Sequence, residues 1–487
     1  METVLAGLGD AALAARLRSA GPADAVAWVQ PRAVAEPETA EELAHILARA
    51  ATAGLAVVPR GGGTKLAWGN PPRAADLVLS TARLDAVTEH AAGDLTATVQ
   101  AGCTIARLQE ILARNGQRLA LDPAWPEHAT IGGILATNDG GALRIAFGSL
   151  RDQVIGITVA LADAAATTGG ADQSGGPAAP KPDGRLARSG GRVVKNVAGY
   201  DLPKLFVGSL GTLGVITEAT FRLYPLPRAT RTLLVQCGDV ETAGGFVRGL
   251  QDTRLRPTGV QLRAGRGVPS EVAVRLEGAS AGAVDAQERQ LDVLANTAGV
   301  RVHAPEAPVL GSRAAGDGPA PRVDGPGSHA VARTPRVPSD QAGADVWRAR
   351  ERLGNGEHAR AAEPGAESRL AAAVCKVTFL PGRLVAVLRD IDAACAGRWE
   401  VVAQSVGVGW LRLEGTDGGA LADTILEVRA AAAARGGSLF VARVPPGITS
   451  RLDVWGDPGD ALPLMRRVKE QFDPRGCLNP GRFVGGI

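Results

Sequence analysis

Residues 59–65 read PRGGGTK. Three adjacent glycines let successive backbone N–H groups turn toward one point, because no Cβ restricts φ. Thr64 adds a hydroxyl donor, and Arg60 and Lys65 flank the glycines with charge. This is the chemistry of an anion site, with phosphate as the natural occupant. Two familiar phosphate loops do not fit. A P-loop needs its lysine before the hydroxyl residue, whereas here Thr64 precedes Lys65. A G-x-G-x-x-G fingerprint is met at Gly61 and Gly63 but ends on Leu66. Alone, the loop reads as an ordinary glycine turn between two strands.

Two more glycine-dense runs strengthen the anion reading. Residues 130–152, TIGGILATNDGGALRIAFGSLRD, carry Gly132-Gly133 and Gly140-Gly141, which permit close backbone approach to a ligand. Residues 208–218, GSLGTLGVITE, set Gly211 and Gly214 around Thr212, directly before the β-branched Val215 and Ile216. Three such runs in one region are more than turn chemistry requires.

The elements that must position them are legible from hydrophobic period. Residues 38–53 space Leu43, Ile46 and Leu47 along one helical face, starting near Thr39, and 104–116 form a second helix closed by Gly116. Strands are expected at 55–59, 76–80, 95–102 and 153–163. Pro225 and Pro227 close this block. The expected organisation is an N-terminal helical segment (1–29), a first domain (30–227) with a mobile excursion at 165–184, a second domain (228–458), and a helix and tail (459–487) returning to the first. The second domain holds two rounds of strand and helix, which implies an antiparallel sheet covered on one face by helices, interrupted by a Pro-, Gly-, Ala- and Ser-rich insertion at about 304–344 that is expected to be disordered.

Composition narrows the class. The 487 residues carry 53 Lys and Arg against 50 Asp and Glu, a net charge of +3, so nothing argues for nucleic acid or an anionic membrane face. Of those 53, six are lysines. Aromatics are 3%, too few for base-stacking platforms. The five cysteines (Cys103, Cys237, Cys375, Cys395 and Cys477) form no C-x-x-C pair, so neither a metal site nor an iron–sulfur cluster is expected in this chain. No stretch approaches the roughly 20 apolar residues of a membrane helix, and the N-terminal residues lack a signal-peptide pattern. A cytoplasmic location is expected, peripheral to the inner membrane only through partners.

PRGGGTK, ATIGG…ATNDGG, FGSLRD, GSLGTLGVITEA and the closing LNPGR together resemble the FAD-binding domain of the vanillyl-alcohol-oxidase/PCMH flavoprotein superfamily, over about residues 30–227 and 478–482. The resemblance implies an α+β fold: a PCMH-type domain of two α+β subdomains with FAD between them, and an α/β cap. It implies that Pro59, Arg60, Gly61, Gly62, Gly63, Thr64 and Lys65 hold the FAD diphosphate. Thr130, Ile131, Gly132, Gly133, Thr137, Asn138, Gly140 and Gly141 would run along the cofactor. Gly211, Thr212, Gly214, Val215 and Ile216 would pass near its adenine–ribose part or the flavin edge, and Asn479 and Arg482 would close over it. GGRVVKNVAGYDLPKLFVGSLGTLGVI and RVKEQFDPRGCLNPGRFVGGI are most similar to the FAD-binding subunit (GlcE) of bacterial glycolate oxidases. That likeness implies a homologous catalytic flavin subunit and an iron–sulfur subunit as partners, and a small 2-hydroxy acid as substrate. The alternatives are a self-sufficient FAD-dependent D-lactate or 2-hydroxy-acid dehydrogenase, and a non-redox scaffold retaining the fold.

Departures from the family pattern bear on catalysis. The six histidines are His45, His90, His128, His303, His329 and His358; none follows 358, where hydroxy-acid dehydrogenases of the superfamily carry a histidine-rich stretch in the cap. Leu210 stands where relatives have Glu in GSEGT. His128 reads as channel lining or a solvated side chain, Cys103 as a packed thiol, and Arg443 and Arg451 as surface arginines, so the catalytic base is left unassigned. Thr64 occupies the position of the histidine that binds FAD covalently in some relatives, so FAD is expected to be non-covalent. Acid precipitation of the purified holoprotein should therefore leave all flavin absorbance in the supernatant; yellow colour retained in the pellet would refute this.

Overall fold

The structure, a computed structural model, describes Val4, Leu8 and Leu13 and residues 15–162, 184–191, 201–305, 346–353 and 371–487. Most of the 165–184 excursion and nearly all of the 304–344 insertion lie outside the described residues, as do His329 and His358.

The first sheet has the order β1-β2-β4-β3, with β1 Leu17–Ser19, β2 Ala33–Ala35, β3 Val57–Arg60 and β4 Leu77–Ser80. β2, β4 and β3 run parallel and β1 pairs antiparallel to β2. Helix α1 (Ala40–Thr52) crosses between β2 and β3. Thr39 caps it by accepting from the Glu42 amide at 3.0 Å, and Leu43, Ile46 and Leu47 are fully buried against the sheet. Of the expected N-terminal helical segment, Val4, Leu8 and Leu13 are helical, while Leu17–Ser19 is a strand. β1 belongs to this sheet, and Val4, Leu8 and Leu13 are buried in the core that α1 covers.

The second sheet is antiparallel, ordered β5-β6-β10-β8-β9: β5 Val87–Ala91, β6 Thr96–Gln100, β8 Val154–Leu161, β9 Arg185–Gly190 and β10 Val215–Arg222. A short pair, β7 (Gln117–Arg118) with β11 (Tyr224–Pro225), sits beside it. Two helices share its core, α2 (Ile105–Ala113) and α3 (Ile131–Thr137), capped by Thr104 and Thr130.

From Ala229 the chain builds one eight-stranded sheet from two βαββαβ units. The first runs β12 (Ala229–Gly238), α4 (Val240–Gln251), β13 (Gly259–Gly265), β14 (Val268–Gly278), α5 (Ala281–Ala298), β15 (Arg301–His303). The second runs β16 (Ala371–Thr378), α6 (Leu384–Ala394), β17 (Trp399–Gln404), β18 (Val408–Gly415), α7 (Gly418–Ala434), β19 (Ser438–Arg443). The spatial order β15-β12-β14-β13-β17-β18-β16-β19 shows the same strand arrangement in both units, joined at β13–β17. The four helices cover one face. Strand alternation sends Ala373, Cys375 and Val377 into that core and puts Val374, Lys376 and Thr378 on the opposite face. On that opposite face Val402, Trp410 and Ala442 meet Trp68 of the first domain.

The chain end returns to the first domain. Helix α8 (Leu462–Phe472) leads to a tail that adds to β3: the Val57 amide donates to Cys477 O at 2.8 Å and the Asn479 amide to Val57 O at 2.9 Å. Asp473, 2% exposed, fixes this junction. It accepts from Lys469 Nζ at 2.6 Å, Leu478 N at 2.7 Å and Cys477 N at 3.0 Å. Removing one member of a buried ion pair strands the other. Asp473→Ala is therefore expected to lower unfolding free energy by about 3–5 kcal/mol, read by denaturant titration; a loss under about 1 kcal/mol would mean that the tail is not held by this pair.

Candidate functional site

β3 ends at Arg60 and the chain turns into the glycine loop. The amides of Gly61, Gly62, Gly63 and Thr64 donate to no acceptor among the described residues. They line a cleft of about 700 Å³, the solvent at its open mouth included. Its walls are Pro59 to Leu66, Thr81, Thr130, Gly132, Gly133, Ala136, Thr137, Leu210, Gly211, Gly214 to Ile216, Asn479 and Arg482. Five separate places in the chain thus converge. Leu66, Thr81 and Ala136 line the cleft without having been assigned to the site from the sequence. Of the residues that were, Ile131 is a core side chain of the α3 turn, and Thr212 is buried with its carbonyl accepting from Lys469 at 2.8 Å. Asn138 is the left-handed cap of α3, and Gly140 and Gly141 follow it outside the cleft.

Close backbone packing explains the glycines more sharply than ligand contact does. A Cβ on Gly62 would lie 1.7 Å from His128 O, and one on Gly61 2.1 Å from Thr130 Oγ1. A Cβ on Gly214 would meet Val159 at 2.5 Å, and one on Gly132 would meet Ala101 at 2.9 Å. The loop can therefore press against 128–130 only without side chains.

The charged residues divide by partner. Arg60 points away to Asp24 at 2.7 Å, so only its backbone serves the cleft. Lys65 is buried, its Nζ 3.2 Å from Asp139 Oδ2 and 3.1 Å from Thr64 Oγ1. Arg350 reaches in from the short stretch 346–353, donating to Asp139 at 3.0 Å, Gly140 O at 2.7 Å and Asp122 O at 2.9 Å. Lys376, paired in register with Trp410, sits nearby on the open face of the cap sheet and donates no hydrogen bond among the described residues. Burial pushes the Lys376 ammonium down to about 8; Asp139 pulls it up, while Arg144, Arg350 and Lys65 push it further down. Burial likewise lowers Lys65, against the pull of Asp139. For Asp139 burial acts upward, but Arg350 and Lys65 outweigh it and keep the carboxylate ionised. Lys65 and Arg350 thus bracket the Asp139 carboxylate beside the cleft, with Lys376, Asp122 and Glu351 in electrostatic range.

Arg350 and Lys376 carried no motif. One compositional signal pointed toward them: lysine is rare in this chain, and Lys65, Lys376 and Lys469 are all drawn into the interior or its margin. His128 has an exposed side chain and does not line the cleft, and neither do the exposed Arg443 and Arg451. Cys103 is buried, and burial pushes its thiol up to about 11.

The comparisons with known proteins fall on this cleft. Residues 31–169 match the FAD binding domain family, and residues 457–483 match the C-terminal domain of FAD linked oxidases. Glycolate oxidase subunit GlcD of Bacillus subtilis is 34% identical over 232 residues, 48% of this chain and 45% of that protein. D-lactate dehydrogenase of Archaeoglobus fulgidus is 36% identical over 220 residues, 44% of this chain and 45% of that protein. The matched region thus spans under half the length of these curated relatives. Alkyldihydroxyacetonephosphate synthase superposes with a TM-score of 0.62 at 16% identity, covering 93% of this chain and 76% of that one. The fold is therefore the PCMH-type FAD-binding fold with its cap. No helix among the described residues is long and apolar enough to cross a membrane.

The residues present fit FAD. Converging amides without acceptors suit a diphosphate, and Arg482 carries a buried Nε without an acceptor. Gly62→Ala should weaken FAD binding more than tenfold, about 1.4 kcal/mol, because the His128 carbonyl cannot yield, whereas Gly140→Ala, with nothing within 4 Å, should bind normally. Flavin absorbance after gel filtration reads both; equal occupancy in the two variants would displace the loop from the site.

Proposed function

We propose that the chain is the FAD-carrying subunit of a 2-hydroxy-acid oxidoreductase of the glycolate-oxidase kind, working with a homologous flavin subunit and an iron–sulfur subunit and attached to the membrane only through them. The observation that carries the reading is a cluster of cations beside the cleft in which one member is left without an ion pair. Lys65 and Arg350 are paired with Asp139, with Asp122 and Glu351 also acting on them, whereas the half-buried Lys376 forms no ion pair among the described residues. A substrate carboxylate would supply its partner. Lys376 has unused donors for that role, and Arg350, locked by three acceptors, would orient the second oxygen. Trp68, Trp125 and Trp410 beside these cations exclude water and strengthen the attraction. Bound FAD would supply the hydride acceptor for the carbon that bears the hydroxyl. The names of the relatives, a glycolate oxidase subunit and a D-lactate dehydrogenase, agree with this substrate class.

Anaerobic addition of glycolate or D-lactate tests it. Bleaching only when the partner subunits are present is the expected result. Bleaching of the isolated chain would favour a self-sufficient dehydrogenase, and a colourless chain that the complex tolerates would favour a scaffold. An unreactive dicarboxylate such as oxalate isolates the carboxylate seat. An anion favours the charged Lys376, so binding takes up a proton once the free ammonium titrates. Affinity should be flat below about pH 8 and fall above it. Arg350→Met should raise the oxalate Kd at least tenfold, roughly 1.5–3 kcal/mol for a charged hydrogen bond; an unchanged Kd would remove the seat from this cluster.

A further inference from the structure

Arg482 differs from the other cations of the cleft. Arg60 is paired with Asp24 and Lys65 with Asp139, whereas Arg482 has no acidic partner among the described residues. It is 2% exposed. Its Nη2 donates to Leu66 O at 2.6 Å and Trp68 O at 2.7 Å, and its Nη1 to Asn479 Oδ1 at 3.3 Å. These neutral acceptors fix the plane of the guanidinium but leave its charge uncompensated, and its Nε is buried with no acceptor. An unpaired buried cation is costly unless something in the cleft carries the opposite charge.

FAD offers two places for that charge. The diphosphate would sit at the amides of residues 61–64, which have no acceptor and whose loop packs on 128–130. Arg482 is clipped instead to Leu66 and Trp68, where the chain leaves the glycine loop for the cap. Trp68 packs against Trp410 of the cap sheet with ring centroids 5.1 Å apart and planes tilted by 43°, and the Arg482 carbonyl accepts from Trp455 Nε1 at 2.8 Å. This is the end of the cleft that meets the cap, and with the diphosphate at the glycine-loop amides the flavin ring would lie toward it. Two-electron reduction of the ring, by substrate or by an added reductant, leaves one negative charge on its N1–C2=O edge once a single proton is taken up at N5.

We propose that Arg482 is the counter-charge for that edge: it holds the flavin as the anionic reduced form and raises its reduction potential. The proposal rests on FAD occupying this cleft. The charge waits in the oxidised protein at the cost of its burial and is compensated only as the ring gains electrons, so it favours the reduced state selectively.

The experiment is a reduction-potential measurement on the holoprotein, by anaerobic reduction with xanthine and xanthine oxidase against a reference dye, for wild type, Arg482→Lys and Arg482→Met. Arg482→Met should shift the reduction equilibrium at least tenfold toward oxidised flavin, about 30 mV for two electrons. Its reduced spectrum should move toward the neutral form at pH 7, and Arg482→Lys should recover most of both. Should the Met variant not fold, Arg482→Gln replaces it, keeping amide donors to Leu66 and Trp68 without charge. Equal potentials in wild type and the uncharged variant would overturn the proposal. So would equal falls in the Lys and uncharged variants, which mean a purely structural role. Flavin loss with an unchanged potential in the bound fraction would assign Arg482 to the diphosphate. Failure of the cleft reading itself looks different: Gly62→Ala and the uncharged Arg482 variant would then both keep full flavin with unaltered spectra.

Discussion

The contact between the glycine loop and residues 128–130 is the constraint on which the rest of the molecule depends. Gly61 and Gly62 lie so close to Thr130 and the His128 carbonyl that no side chain fits between them. That approach ties the parallel sheet, whose β3 feeds the loop, to the antiparallel sheet, whose helix α3 starts at Ile131. The cleft is what remains along this seam. Its amides are left without internal acceptors because the loop is held by packing rather than by its own hydrogen bonds. A phosphate-binding surface is thus a consequence of how two subdomains meet.

The C-terminal tail makes the seam permanent. It extends the first sheet beside β3, and Asp473 and Lys469 neutralise each other where it turns in. Lys469 also accepts no freedom in direction: it reaches Thr212 O and Leu478 O, joining the 208–216 segment to the tail. Asn479 adds a bond from its side-chain amide to Leu210 O at 2.6 Å, with both residues at positive φ. Those two left-handed non-glycine residues are local strain that the surrounding bonds sustain. The first domain therefore reaches its final form only when the last residues of the chain arrive.

Charge is arranged in a gradient along the cleft. Around the loop, dipoles of backbone amides do the work and Arg60 is turned away. Toward the cap, formal cations accumulate in a region screened by tryptophans. The cap sheet contributes Lys376 from the face opposite its helices. The stretch 346–353 contributes Arg350 from between two segments outside the described residues.

Local pattern carried most of the architecture. The helix over 40–52, the strand before the loop, and the repeated strand–helix alternation of the cap follow from apolar spacing and capping residues, which act within a few positions of the chain. The glycine runs followed from composition, since only glycine tolerates such approach. The N-terminal strand Leu17–Ser19 escaped notice because three residues hold no period, and their pairing with β2 is set by a distant neighbour. Arg350 and Lys376 escaped because a single charged residue in a strand or short helix looks like any surface charge until its environment is known. The sequence by itself determined that several backbone-exposing segments exist and what kind of ligand their chemistry suits. Only the tertiary structure decided which of them share a wall, that Arg60 turns away while Arg482 stays unpaired, and that Lys65 and Arg350, 285 residues apart in the chain, meet on Asp139; burial and charge pairing are properties of the folded neighbourhood, which short-range pattern does not contain.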